Sequence, residues 1–361
     1  MTTAANETSP LRGLIVIDEG AEATAFLGRM LADLGAEVLV PSDAEDWSVA
    51  DLPGADVAAF RDSTSIGKRP VNARTIELLS NAHVVLMGQR AGRYPERIET
   101  LRTASPYLVV VSVTAFGASG PDAGRPASDL TALAGSAYLH MTGAEDGPPL
   151  KPSIPFVTWR HACNHGLVGT LIALRRRRIE GHGSHVDVAA RDTGLWMLTH
   201  TYQYWDMERV NLRRKGASRD VGKAGVRIPS VYPCKDGTIV WMLLSGQLGK
   251  GSIDRLVDWM ASEEMASQEL RDIDWGTLQL EAIPDIDQFM EPFARFFLTK
   301  TRTELLERAI VDGFMIAPVT HVEDLLADPQ LEFRGAWQQY AGSRLPRVPF
   351  QSNRAQWRAG V

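Results

Sequence analysis

The stretch "GLIVIDEGAEATAFLGRMLADLGAEVLV", residues 13–40, limits the possible folds more than any other part of the chain. It opens on a short continuous apolar run closed by acidic residues and Gly20, the pattern of a strand buried on both faces. Phe26, Leu27, Met30, Leu31 and Leu34 then recur at helical spacing. Gly35 stops the helix, and "AEVLV" begins a second strand. A βαβ unit of this kind crosses over right-handedly and needs a parallel sheet. "AHVVLMG" and "YLVVVSVTAFG" add two more buried strands, with the helical "RYPERIETLRTA" between them. Residues 11–117 therefore read as a doubly wound α/β layer. No G-x-G-x-x-G follows the first strand and no phosphate-binding G-x-x-x-x-G-K-[ST] is present, so dinucleotide binding in the usual manner is excluded.

"ASGPDAGRPASD" is a loop, and its Asp129 is placed to N-cap the helix "LTALAGSAYLHMTG". Residues 159–178 are helical, with Gly181 as the stop and arginines in the last turns. A short strand and a helix follow in "GHGSHVDVAARDTGLWMLTHTYQYW". The texture changes near Arg209. "NLRRKGASRDVGKAGVR" is a polar linker, "SVYPCKDGTIVWMLLSGQ" is two strands around a "KDG" turn, and acid- and tryptophan-rich helices run to about Asp312. "FMIAPVTHVEDLLADPQLEFRGAW" is a strand, a capped helix and an extended segment.

The bulk numbers are those of a globular chain: 361 residues, 44% hydrophobic and 23% charged. A net charge of −6 argues against a nucleic-acid partner. "MTTAANETSP" has neither the basic nor the apolar part of a signal peptide and reads as a short disordered lead. The longest apolar runs are too short to span a bilayer. Cys163 and Cys234 make no disulfide framework, so the expected location is the cytoplasm, away from membranes.

Several separated blocks, in order, resemble the class III CoA-transferases, the group of formyl-CoA and carnitine CoA-transferases that shares its fold with 2-methylacyl-CoA racemase. They are "LRGLIVID" with "MLADLGAEVLV", "SVTAFGASGPDAGRPASDLTALAGSAYLHMTG", "GTLIALRRRRIEGHGSHVDVA", "YPCKDGTIVWMLL" and "APVTHVEDLLADPQLEFRGAW". The resemblance implies a Rossmann-like large domain built from both chain ends, residues 1–208 and 312–361, with a small α+β domain, residues 209–311, between them. It also implies an interlocked dimer, each site lying between the large domain of one protomer and the small domain of the other. The implied activity moves CoA from an acyl thioester to a free carboxylic acid, with CoA and acyl-CoA as substrates and no permanently bound cofactor or metal.

In the family an aspartate carries the acyl group and then CoA, as anhydride and thioester. Its position falls in "PSIPFVTWRHACNHG", on Thr158 or Trp159, and that stretch contains no acid. His161 and His165 share a helical face but lack the glutamate of a metalloprotease motif, and Cys163 suits a core position. Racemisation would need a histidine before Asp129; Ser128 stands there. The resemblance assigns CoA binding to Lys68 and Arg69 in "GKRP", to Arg90, Arg93 and Arg97 in "QRAGRYPER", and to Arg125 in "GRPASD". The arginines of "QRAGRYPER" equally suit a solvated loop and helix start. "SGQLGKG", with Gly246, Gln247, Gly249 and Gly251, matches a small-domain glycine loop at the active site, or else is a plain strand-to-helix turn. The chain is thus expected to be the acid-less subunit of a heteromeric transferase, paired with a related aspartate-bearing chain. The alternatives are a homodimer with an acid from elsewhere, or a non-catalytic acyl-CoA-binding or regulatory protein.

Overall fold

The computed structural model describes residues 9–47, 54–221, 226–244, 246–340 and 342–349. The leading residues 1–8, the tip 222–225 of the polar linker, and Ser245 of "SGQLGKG" lie outside the described residues. The chain divides into two compact units. One is Met1–Gly143, Pro148–Arg214 and Gln330–Val361; the other is Ala144–Gly147 and Lys215–Pro329.

The first unit is built on a six-stranded sheet of order β3-β2-β1-β4-β5-β6. Its strands are β1 (Ile15–Asp18), β2 (Glu37–Val40), β3 (Lys68–Pro70), β4 (Val84–Met87), β5 (Val109–Thr114) and β6 (His185–Ala189). All five pairings are parallel. Val16 stands opposite both Val38 and Val84, so β1 is central, and β4 and β5 are buried at every position. That is why these strands read as unbroken apolar runs. The helix Ala21–Asp33 buries Ala23, Leu27, Met30 and Leu31, and with the 24-residue helix Val157–Glu180 it supplies much of one core cluster. Strand order reverses between β1 and β4, which makes their carboxyl ends the topological switch point of the sheet.

The second unit holds a three-stranded antiparallel sheet of β9 (Val231–Cys234), β10 (Gly237–Trp241) and β11 (Ile316–Pro318). Its core is aromatic: Trp241, Trp275, Phe293, Phe296 and Phe297 are all buried. Among the described residues no helix is long and apolar enough to cross a membrane.

Four expectations need correction. The small unit extends past residue 312 to Pro329, because β11 hydrogen-bonds to β10 rather than joining the parallel sheet. The polar linker is not coil: β7 (Ser218–Val221) and β8 (Val226–Pro229) form an antiparallel pair. "GKRP" is itself structured: Lys68–Pro70 is the edge strand β3, too short and polar to announce itself. "LEFRGAW" is not extended at its start, since Pro329–Phe333 is helical.

Candidate active site

The helix Val157–Glu180 begins where the missing aspartate is expected. Phe156, in left-handed conformation at φ 57°, turns the chain into the helix. Thr158 is 0% exposed, and Trp159 is 2% exposed within the core cluster around Leu27 and Val113. The Thr158 hydroxyl donates to the Asp129 carbonyl at 3.2 Å. Neither side chain presents a nucleophile to solvent.

An acid is nonetheless brought to this point by the fold. Asp129 Oδ1 accepts from the Thr158 N–H at 2.8 Å and from the Trp159 N–H at 3.2 Å. This corrects its expected role. Ser128 caps the helix Asp129–Gly135 by accepting from the Thr131 N–H, whereas Asp129 caps the long helix 29 residues away. Burial pushes the Asp129 carboxyl up, and the helix N–H groups pull the other way. A small, shallow cleft opens beside it, lined by Asp129, Leu130, Leu133, Lys151, Ile154 and Phe156 among others. Its carboxylate meets the orphan donors and positive end of the long helix, so those donors are not available to a developing oxyanion. Asp129→Ala is expected to cost about 1–2 kcal/mol and Asp129→Asn much less, because the amide keeps the capping acceptor. Thermal unfolding of the two variants checks this, and equal losses would rule out the cap.

The other candidate residues are placed as follows. Lys68 Nζ is bound to Asp18 Oδ2 at 2.6 Å and to the Ala25 carbonyl at 2.8 Å, with its side chain only 7% exposed. Arg69 pairs with Glu37 on the exposed sheet edge. Arg125 pairs with Asp122 in its own loop. Arg93 ends the short helix Arg90–Arg93 and is exposed. Arg90 and Arg97 are each engaged by the acidic segments after β1 and β2. The Arg90 N–H donates to Glu45 Oε1 at 2.8 Å and its Nη1 to the Asp43 carbonyl at 2.6 Å. Arg97 grips Glu19, with Nη2 to Oε2 at 2.7 Å and Nε to Oε1 at 3.2 Å. Nothing local in "VIDEG" announced that Glu19 would be 0% exposed.

Cys163 is buried and donates to the Ala23 carbonyl at 3.2 Å; burial pushes its thiol up to about 12, so it remains protonated. His161 is pushed down, chiefly by burial and then by His165. Among the described residues no group of three or more His, Cys, Asp or Glu side chains is placed to hold a metal.

Glu45 is the most perturbed carboxyl of this region. Burial, reinforced by the charges of Glu19 and Glu22, pushes it from the ordinary 4.5 to about 7. The fold therefore favours its protonated form, and stability from this group is fully present below pH 4.5 and declines as pH rises to 7. Glu45→Gln keeps an acceptor for the Arg90 N–H. It should stabilise the protein by about 2 kcal/mol at pH 8 and hardly at all at pH 4.5. Urea titrations at the two pH values read the difference, and the same gain at both would contradict it.

In the second unit, "SGQLGKG" is not an open loop. Gly246, at φ 80°, is the N-cap, and Gln247, Gly249 and Gly251 lie in the first turns of the helix Gln247–Ser262. The Gly246 N–H donates to the Trp275 carbonyl at 3.0 Å, which ties this helix start into the aromatic core.

The family model for CoA-transferase family III matches residues 72–360. A subunit of succinyl-CoA:(R)-benzylsuccinate CoA-transferase, BbsE of Thauera aromatica, is 30% identical over 96% of this chain and 88% of its own. The β subunit of succinyl-CoA–L-malate CoA-transferase of Chloroflexus aurantiacus is 25% identical over 91% of this chain and 82% of its own. The fold matches that of a CaiB/BaiF family protein from Brucella suis with a TM-score of 0.80 at 21% identity, covering 98% of this chain and 95% of that one. The chain belongs to CoA-transferase family III.

Proposed function

We propose that this chain is the aspartate-lacking subunit of a heteromeric CoA-transferase that moves CoA from an acyl-CoA thioester to a carboxylic acid. The observation that carries the reading is the sealed helix start. Thr158 and Trp159 both point into the protein where the family presents its acyl-carrying carboxylate, and Asp129 is engaged as a cap. An alcohol at that place would form an ordinary ester, too stable to pass CoA on. Two of the similar proteins are named as subunits of heteromeric enzymes, which supports a paired chain here. So does the apolar surface left uncovered on the first unit. Ile172, Ile179, Trp196, Trp205 and Met207 are all more than half exposed, more than a solitary subunit leaves to water. In an interlocked pair the segment Gly246–Gly251 would serve the site on the partner's large domain. Cys163 and Cys234, both free and buried, support the cytoplasm as the compartment.

Succinyl-CoA is the donor to try first, since it stands in the names of both relatives. Native mass of the complex isolated from its host should show a second, related chain carrying an aspartate in the matching position. The chain alone should not transfer CoA. A homodimer that turns over would overturn the reading. Thr158→Asp is expected to leave the chain alone inactive, because the new carboxylate enters a fully buried position against Asp129 and stays protonated. A fast transferase from that single change would sink the paired-subunit model.

A further inference from the structure

The switch point between β1 and β4 is where an open α/β sheet takes its ligand, yet here it is occupied by the protein itself. The loops leaving the two strands touch backbone to backbone. A Cβ on Gly20 would lie 2.6 Å from the Gly88 nitrogen, and one on Gly88 would lie 2.5 Å from the Gly20 carbonyl oxygen. Glu19, the first residue after β1, sits beneath that contact with no exposure and takes the whole fork of Arg97. The Thr75 hydroxyl donates to the same carboxylate at 2.7 Å. The segment carrying Asp43 and Glu45 lies across the crevice, held by the Glu45 N–H to the Glu19 carbonyl at 2.8 Å and by Arg90. Arg97 also stands 3.9 Å from Asp43.

The two arginines facing this crevice are therefore already engaged by the chain itself, Arg97 by the Glu19 carboxylate and the Arg90 guanidinium by the Asp43 backbone carbonyl. CoA brings roughly four negative charges in its 3′-phosphate and pyrophosphate. Placing them here would set them against Glu19 and Asp43, with the fork of Arg97 already taken by Glu19. Glu45 is pushed up chiefly by burial in this crevice, with the charges of Glu19 and Glu22 adding to it. Of the remaining assigned cations, Lys68 is enclosed by Asp18 and Ala25, Arg69 and Arg125 are each paired with an acid, and Arg93 stands exposed at the end of its short helix.

We infer that the crevice at the carboxyl ends of β1 and β4 of this chain does not take CoA, so that a transferase containing it has one CoA site per pair of chains rather than two. The stoichiometry rests on the heteromeric reading; the closed crevice does not.

The test is calorimetric titration of the complex, as isolated, with CoA, alongside native mass of the same sample. One CoA per pair of chains is the expected result. Two per pair would overturn the inference, provided the second is weakened tenfold or more by the double substitution Glu19→Gln with Arg97→Met. That variant removes the buried Glu19 charge together with its partly exposed counter-charge while roughly keeping volume. A second CoA that survives it binds elsewhere and leaves the inference standing. If native mass finds no related chain, the heteromeric reading fails on its own, and the titration of the homodimer still decides. No binding then supports the closed crevice, and one CoA per chain lost with the double substitution overturns it.

Discussion

Arg97→Ala is expected to destabilise the protein by about 3–5 kcal/mol, the loss typical when one partner of a buried ion pair is removed. Glu19 is fully buried and, among the described residues, accepts from two side chains, Arg97 and Thr75. Without the guanidinium its charge would be left in the interior with a single hydroxyl, so the carboxyl must protonate or the fold must open to let water in. The double change Glu19→Gln with Arg97→Met should behave differently. It removes the charge together with its counter-charge, and the Thr75 hydroxyl keeps an amide oxygen to donate to. A near-neutral result, within about 1 kcal/mol, is expected. The two single variants and the double one form a thermodynamic cycle whose coupling term isolates the pair. Urea unfolding at pH 7 measures it. A loss below about 1 kcal/mol for Arg97→Ala would mean that Glu19 is not held there as an anion, and the electrostatic part of the closed-crevice argument would go with it.

The contrast between Glu19 and its neighbours shows where sequence reading stops. Ile15, Val16 and Ile17 announce a buried strand because burial on both faces demands an unbroken apolar run. The helix after Gly20 announces itself by period, and so does the long helix that ends at Gly181. Glu19 and Gly20 then look like ordinary strand punctuation. What makes them a plug is Arg97, 78 residues on, and Gly88, and no local pattern encodes either meeting. Asp129 is a similar case. Asp129 before an apolar stretch is legible as a cap, but which helix it caps depends on the meeting of two helices far apart in sequence, and Ser128 takes the nearer one. β3 and the β7–β8 pair escaped for a different reason: three or four mostly polar residues carry no alternation strong enough to distinguish strand from linker. The return of the chain to the first unit was placed too early because Phe314–Pro318 is apolar enough for either sheet. Only its pairing with β10 assigns it to the small one.

Gly249 sets the second large effect. A Cβ there would stand 1.6 Å from the Leu244 carbonyl oxygen and 2.3 Å from its carbon, a backbone clash that no rotamer relieves. The backbone has little room to retreat. Leu243 is buried in the aromatic core, and the helix start is fixed by Gly246 N–H to Trp275 and by Gly249 N–H to Gly246 at 3.1 Å. Gly249→Ala should therefore cost about 3 kcal/mol, at the upper end of overpacking penalties. Gly251→Ala meets only the flexible end of Arg255 at 3.2 Å and gains helix propensity, so it should be neutral or stabilising by about 0.5 kcal/mol. Gly246→Ala meets open space, but φ 80° with ψ −177° is a conformation essentially restricted to glycine and imposes about 1–3 kcal/mol of backbone strain. This graded series separates packing from function. If Gly246–Gly251 completes the partner's site, Gly246→Ala should lower kcat/KM of the complex by about tenfold at a temperature where the variant is still folded, while Gly249→Ala loses activity through stability. Should Gly246→Ala leave turnover untouched at a temperature where the complex is folded, the helix start is a structural turn and the supporting role must come from another part of the small unit.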